Sequence, residues 1–143
     1  MQSVGVIGAG QMGAGIAQVS AQAGYHVLLA DVTKERADAG KAGIAAQLAR
    51  AVSKEKITTA VADQTLARIE TIEGPSAMGK CGLIIEAATE REEIKRAIFD
   101  EVGPDAIVQD NVVGFPAIEH SGRPWVRIVS CNPLELKDPN VPP

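Results

Sequence analysis

The chain has 143 residues, 45% of them hydrophobic and 22% charged. That is one domain's worth of sequence with the composition of a folded globular protein, which excludes disorder, collagen and coiled coil. The net charge of −4 comes with basic residues interleaved among acids, as in Lys34-Glu35-Arg36 and Lys54-Glu55-Lys56, which excludes a nucleic-acid patch or a polybasic membrane patch. Strand and helix patterns then alternate along the chain. Val4 to Gly8 is a short apolar run ending in glycine, which suits a buried parallel strand. Residues 11–23 read as a helix with Met12, Ile16, Val19 and Ala23 on one face, ended by a left-handed turn at Gly24. His26 to Ala30 is a second strand, closed by Asp31. Thr33 caps a long helix through about Val52, with Ile44, Leu48 and Val52 spaced by four. Thr58 caps a further helix carrying Val61 and Leu66, and Arg68 to Ile72 is a short strand. Gly82 to Ala87 is a strongly apolar strand. Glu90 to Val102 is a helix with Ile94, Ala97, Ile98 and Val102 at helical spacing, stopped by Gly103-Pro104. Ala106 to Val108 and Val126 to Val129 are the last strands.

Repeated β-α-β units with short links imply an α/β fold, a mostly parallel doubly wound sheet with helices on both faces. A single domain over residues 1–137 is expected, with the proline-rich residues 138–143 as a linker or interdomain junction. The scarcity of aromatics, 3%, suits small aliphatics packed between close helices and a sheet. No apolar run approaches the ~20 residues of a membrane span, and Val4 to Ile7 is too short for a signal peptide, so a cytoplasmic chain with no membrane partner is expected. Cys81 and Cys131 lack C-x-x-C spacing and are expected to be reduced thiols. His26 and His120 lie far apart, and no metal site is expected.

Gly8-Ala9-Gly10-Gln11-Met12-Gly13 matches G-x-G-x-x-G. Here the match follows a strand, opens a helix, and is followed by Asp31, 23 residues after Gly8, at the end of the second strand. That is the context of a Rossmann-type dinucleotide fingerprint. Gly8 permits the tight turn, Gly10 lets the pyrophosphate approach backbone, and Gly13 lets the helix lie close on the strand. The helix start offers N–H groups and a positive dipole end to the phosphates. Asp31 accepts from the adenosine ribose hydroxyls and repels a 2′-phosphate, so NAD is expected over NADP. Lys34 is the one nearby cation weighed for a 2′-phosphate, and a solvated helix start is the plainer reading of it.

Val4 to Ala17, with its Gly8-Ala9-Gly10-Gln11-Met12-Gly13-Ala14-Gly15, resembles the start of the 3-hydroxyacyl-CoA dehydrogenases, including the bacterial 3-hydroxybutyryl-CoA dehydrogenases. The likeness continues through Ala23-Gly24-Tyr25 and Asp31, and returns in Leu83 to Glu90 and Glu93 to Phe99. It covers residues 2 to about 109. The resemblance implies NAD-dependent interconversion of an L-3-hydroxyacyl thioester and its 3-ketoacyl form. It implies that Glu90 and Lys95 lie near the nicotinamide ribose and that Ala87 and Ala88 lie against the cofactor. It matches Lys54 to a lysine that contacts the CoA phosphates.

After the fifth strand the sequence departs from the family. The family's polar S-N-T-S-S segment becomes Asp110-Asn111-Val112-Val113-Gly114, which keeps Asn111 but puts Val113 where a serine bonds the substrate oxygen. The family's H-F-x-N-P becomes Val129-Ser130-Cys131-Asn132-Pro133. Asn132 matches a position at the nicotinamide end of the cofactor, but Val129 stands at the catalytic histidine and has no lone pair to accept a proton. His120 is the one candidate replacement base. The carboxylate that orients the histidine falls near Val141, with Glu135 and Asp138 the acids nearby. The family's helical C-terminal domain, which covers the acyl site and builds a homodimer, has no counterpart within these 143 residues.

Three functions compete. The first is an NAD-dependent oxidoreductase of fatty acid metabolism with an altered substrate end, acting on an acyl-CoA or on a carrier-protein-bound acyl thioester. The second is a catalytically degenerate NAD-binding or interaction module, favoured by Val113 and Val129. The third is an acyl-thioester binder without redox chemistry. The glycine loop with Asp31 favours the first two, and the cofactor residues Glu90, Lys95 and Asn132 favour the first.

Overall fold

A computed structural model describes residues 3–89, 91–110, 116–119 and 121–128. Its centre is a parallel sheet of four strands, β1 (Ser3–Ile7), β2 (His26–Asp31), β3 (Ile69–Glu73) and β4 (Leu83–Glu86), in the order β3-β2-β1-β4. Ser3 pairs with His26 and Ile7 with Ala30, while Ile7 also pairs with Glu86 and Asp31 with Glu73. The register brings the carboxyl ends of all four strands to one edge. Chain order reverses between β1 and β4, which opens a crevice there.

Alternation along β1 and β2 sorts their side chains to two faces. Val4, Val6, Val27 and Leu29 point to one face, where they pack with residues of α1 (Gln11–Gln22), α2 (Lys34–Ser53) and α3 (Thr59–Ala67). Ile7 and Ala30 point to the other, against Met78 and Ile98 of α4 (Glu92–Val102). Both faces are thus covered by helices, as the doubly wound expectation requires. Thr33 and Thr58 cap α2 and α3 by accepting from the backbone N–H groups of Arg36 and Val61. Gly103, in the left-handed region at φ 58°, ends α4.

The buried faces of two helices differ from the positions of their large apolar residues. The core face of α1 is Gly13, Ala17 and Ala21, whereas Met12 and Val19 are 71% and 60% exposed. In α3, Ala62 and Thr65 are buried and Val61 is exposed. The segment between β3 and β4 holds a 3-10 helix over Ser76–Lys80. It carries Met78 fully buried beneath Gly5, where an added Cβ would lie 2.9 Å from the Met78 sulfur. Cys81 is partly buried against the same cluster. The last strands, β5 (Ile107–Asp110) and β6 (Trp125–Ile128), pair in parallel as a two-stranded sheet of their own, with the four-residue α5 (Pro116–Glu119) between them in the chain. Among the described residues no helix is long and apolar enough to cross a membrane.

Candidate functional site

The turn from β1 into α1 sits at the carboxyl edge of the sheet. Gly8 adopts φ 98°, and its N–H donates to the Ala30 carbonyl at 2.8 Å. A Cβ on Gly8 would meet the backbone of Ala87 and Ala88 at 2.7–2.9 Å, so the turn fits tightly against the loop after β4. A Cβ on Gly13 would lie 1.7 Å from the Gly8 carbonyl oxygen. Around Gly10 nothing lies within 4 Å of the place a Cβ would take. The first and third motif glycines are therefore demanded by backbone packing. The second keeps an approach open from outside.

That approach leads to the start of α1. Gly10 is its N-cap, with no side-chain cap and no acid in the first turn. By contrast α2 has Thr33 and Glu35 at its start, α3 has Thr58, and α4 has Glu92 and Glu93. Among these four helices α1 alone presents an N-terminus with neither a capping side chain nor a neutralising acid. The amides at such an end attract an anion.

Asp31 closes the other side. Its side chain is 12% exposed. Oδ2 accepts from the Ala9 N–H at 2.9 Å, and Oδ1 from the Val32 N–H at 2.8 Å. The carboxylate is thereby fixed beside the glycine loop. Arg36, in the first turn of α2, brings its Nε to 3.2 Å from Oδ1. A cleft of about 540 Å³ runs from Ala9, Gly10 and Asp31 along α2 past Gly40 and Gly43 to Gln47. Gly40 belongs to the site for a packing reason, because a Cβ there would lie 2.6 Å from the Ala9 oxygen. Lys34 is turned away from that role: its ammonium is 3.0 Å from both Asp38 and Thr71, which also bond each other. The Thr71 hydroxyl, and then the Lys34 ammonium, hold the Asp38 carboxyl below its ordinary pKa range.

Across the crevice, Glu86 ends β4 and organises the loop that follows. Its Oε1 accepts from the Ala88 N–H at 2.7 Å and the Thr89 N–H at 3.0 Å, while Oε2 pairs with the Lys95 ammonium. These two side chains are 9% and 12% exposed, so Lys95 is a buried ion-pair partner rather than a solvated surface residue. Lys54 is exposed at the end of α2. Glu90, Asn111, Val113, His120, Val129, Cys131, Asn132, Glu135, Asp138 and Val141 lie outside the described residues.

The sequence reading missed Arg36, Gly40 and Glu86 as site residues. Glu86 stood inside a recognised motif, at the end of a strand next to the site. Arg36 and Gly40 carried no local signal, because only the packing of α2 beside the turn brings them there.

The residues present fit a dinucleotide. The open backbone at Gly10 and the uncapped start of α1 can hold a pyrophosphate, and Asp31 can accept from a ribose. Comparison with known proteins agrees. Residues 3–114 match the family model described as 3-hydroxyacyl-CoA dehydrogenase, NAD binding domain. A 3-hydroxybutyryl-CoA dehydrogenase of Bradyrhizobium diazoefficiens is 47% identical over 96% of this chain and 50% of its own length. A 3-hydroxyadipyl-CoA dehydrogenase of Escherichia coli is 41% identical over 71% of this chain and 22% of its own length. The crystal structure of an E. coli 3-hydroxybutyryl-CoA dehydrogenase superposes with a TM-score of 0.75 at 36% identity, covering 83% of this chain and 26% of that one. The chain thus spans half or less of the length of these relatives.

Proposed function

The chain belongs to the family of 3-hydroxyacyl-CoA dehydrogenase NAD-binding domains, and from that premise we propose that it holds NAD across the β1–α1 turn as the cofactor half of a dehydrogenase for 3-hydroxyacyl thioesters. The observation that carries this reading is the pairing of an open Gly10 and an uncapped α1 with Asp31 fixed beside them. The loop amides and the first turn of α1 bind the pyrophosphate. Asp31 accepts from the adenosine ribose and repels a 2′-phosphate. The Glu86–Lys95 pair shapes the loop over the crevice, with Ala87 and Ala88 against the glycine turn. When bound, the cofactor supplies a nicotinamide ring that takes up or gives a hydride.

The acyl thioester reaches the site on CoA. Lys54, exposed at the end of α2, is the cation that meets the CoA phosphates in this reading. The hydroxyacyl relatives named above support CoA as the carrier. Glu90, Asn111 and Asn132 complete the cofactor site in this reading, and a homodimer forms through a C-terminal domain where one is present. A second reading, a cofactor-binding module without turnover, is favoured by Val113 and Val129 at family positions that bond the substrate oxygen and take its proton.

Fluorescence titration tests the cofactor reading. NADH should bind more tightly than NADPH. Asp31→Ala should weaken NADH and narrow the difference between the two. Gly10→Val should abolish NADH binding with native-like circular dichroism, since the branched side chain meets open space in the protein but would fill the pyrophosphate approach. Normal NADH binding by that variant would remove the cofactor from this loop.

A further inference from the structure

Asp31 is the residue that excludes a 2′-phosphate, and its carboxylate is shared. Two of its contacts, from the Ala9 and Val32 amides, are backbone bonds that hold it in place. The third comes from Arg36, whose Nε is 3.2 Å from Oδ1 while its side chain is 68% exposed. Arg36 also lines the cleft that passes Gly10 and Asp31. Its fork carries four further N–H donors besides Nε. Lys34, the other cation of this turn, is engaged by Asp38 and Thr71 on a different side of α2.

We propose that Arg36 sets the margin of cofactor choice at this site, and that it narrows the preference for NAD rather than enforcing it. The inference rests on the reading that NAD binds across the β1–α1 turn. Its logic is competition on one carboxylate oxygen. A ribose hydroxyl that donates to Oδ1 must share it with the Val32 N–H and displace or crowd the Arg36 guanidinium. Arg36 therefore works against the NAD ribose. A 2′-phosphate carries a charge of about −1.5 to −2 at neutral pH. Asp31 repels it, but Arg36 partly neutralises Asp31 and can swing from an exposed position to face the phosphate with its planar fork. The same residue thus opposes one cofactor and accommodates the other.

The test is binding of NADH and NADPH by fluorescence to the unmodified chain, Arg36→Ala and Arg36→Lys, with thermal melting of each. Arg36 is exposed and alanine is a good helix former, so both variants should melt close to the unmodified chain. Arg36→Ala should weaken NADPH about tenfold, the loss expected for a charged hydrogen bond. NADH should hold its affinity or tighten, so the ratio widens. Arg36→Lys keeps the charge without the fork and should fall between. If NADH binds the unmodified chain and Arg36→Ala leaves the ratio unchanged or narrows it, the role of Arg36 is overturned while the NAD reading stands. If neither dinucleotide binds the unmodified chain, both fall together.

Discussion

Gly8, Gly10 and Gly13 have distinct roles in the motif, and the packing around each of them differs accordingly. Gly8 needs a positive φ and touches the loop after β4, and Gly13 presses against the Gly8 carbonyl. Gly10 has open space where its side chain would be. Substitution should therefore split stability from binding. Gly13→Ala forces a Cβ onto a backbone oxygen 1.7 Å away, so the helix must lift off the turn. The cost should be about 3 kcal/mol, a fall in melting temperature on the order of 10 °C. Gly10→Ala should melt within about 1 kcal/mol of the unmodified chain, near the ordinary effect of a cap substitution. Thermal denaturation followed by circular dichroism distinguishes them, and equal losses would contradict the packing argument.

At the scale of elements, α1 shows how a helical period can be right while its buried face is not. The spacing of Met12, Ile16, Val19 and Ala23 marks a helix, and a helix forms over Gln11–Gln22. The residues turned inward are Gly13, Ala17 and Ala21, because a helix that starts from the glycine turn must lie close on the sheet. Only residues with little or no side chain allow that distance. Ala17→Leu should thus destabilise by about 1–3 kcal/mol through overpacking. Val19→Lys, at an exposed site, should stay within about 0.5 kcal/mol. Chemical denaturation of the two variants reads the difference. The reverse order would restore the larger residues to the core face. Glu86 makes the same point for the loop after β4. Its carboxylate holds two backbone amides of that loop and the ammonium of Lys95 on α4, tying a strand end to the next helix.

For the whole molecule, the prediction is cofactor binding without turnover by these 143 residues assayed alone. In the proposed alignment Val129 takes the place of the general base, and a positioned base contributes about 10²–10⁴-fold. These residues span half the length of a 3-hydroxybutyryl-CoA dehydrogenase relative. The proposed cofactor contacts are at Gly10 and Asp31. NADH should bind while acetoacetyl-CoA-dependent NADH oxidation stays near background. Val129→His alone should not restore it, since in the same alignment Val113 offers the substrate oxygen no hydrogen bond. Turnover at ordinary enzymatic rates would point to another base, with His120 the first to replace.

Local order was legible from the amino-acid sequence because it is encoded locally. An apolar run ended by Gly8 marked β1, and the strongly apolar run from Gly82 to Ala87 marked β4. Thr33 and Thr58 stood where caps belong, and both cap. The glycine motif with Asp31 at the end of β2 pointed to the carboxyl edge of the sheet, since each of those residues answers a steric or electrostatic demand within its own β-α-β unit. What depended on distant segments was settled only in three dimensions. The strand order β3-β2-β1-β4 and the burial of Met78 beneath Gly5 arise from long-range pairing. So does the meeting of Gly40 with Ala9, because it takes the angle of α2 across the turn to create that contact. Arg36 is the clearest case: in the chain it is one charge in a mixed-charge run, and only the fold sets its guanidinium against the Asp31 carboxylate.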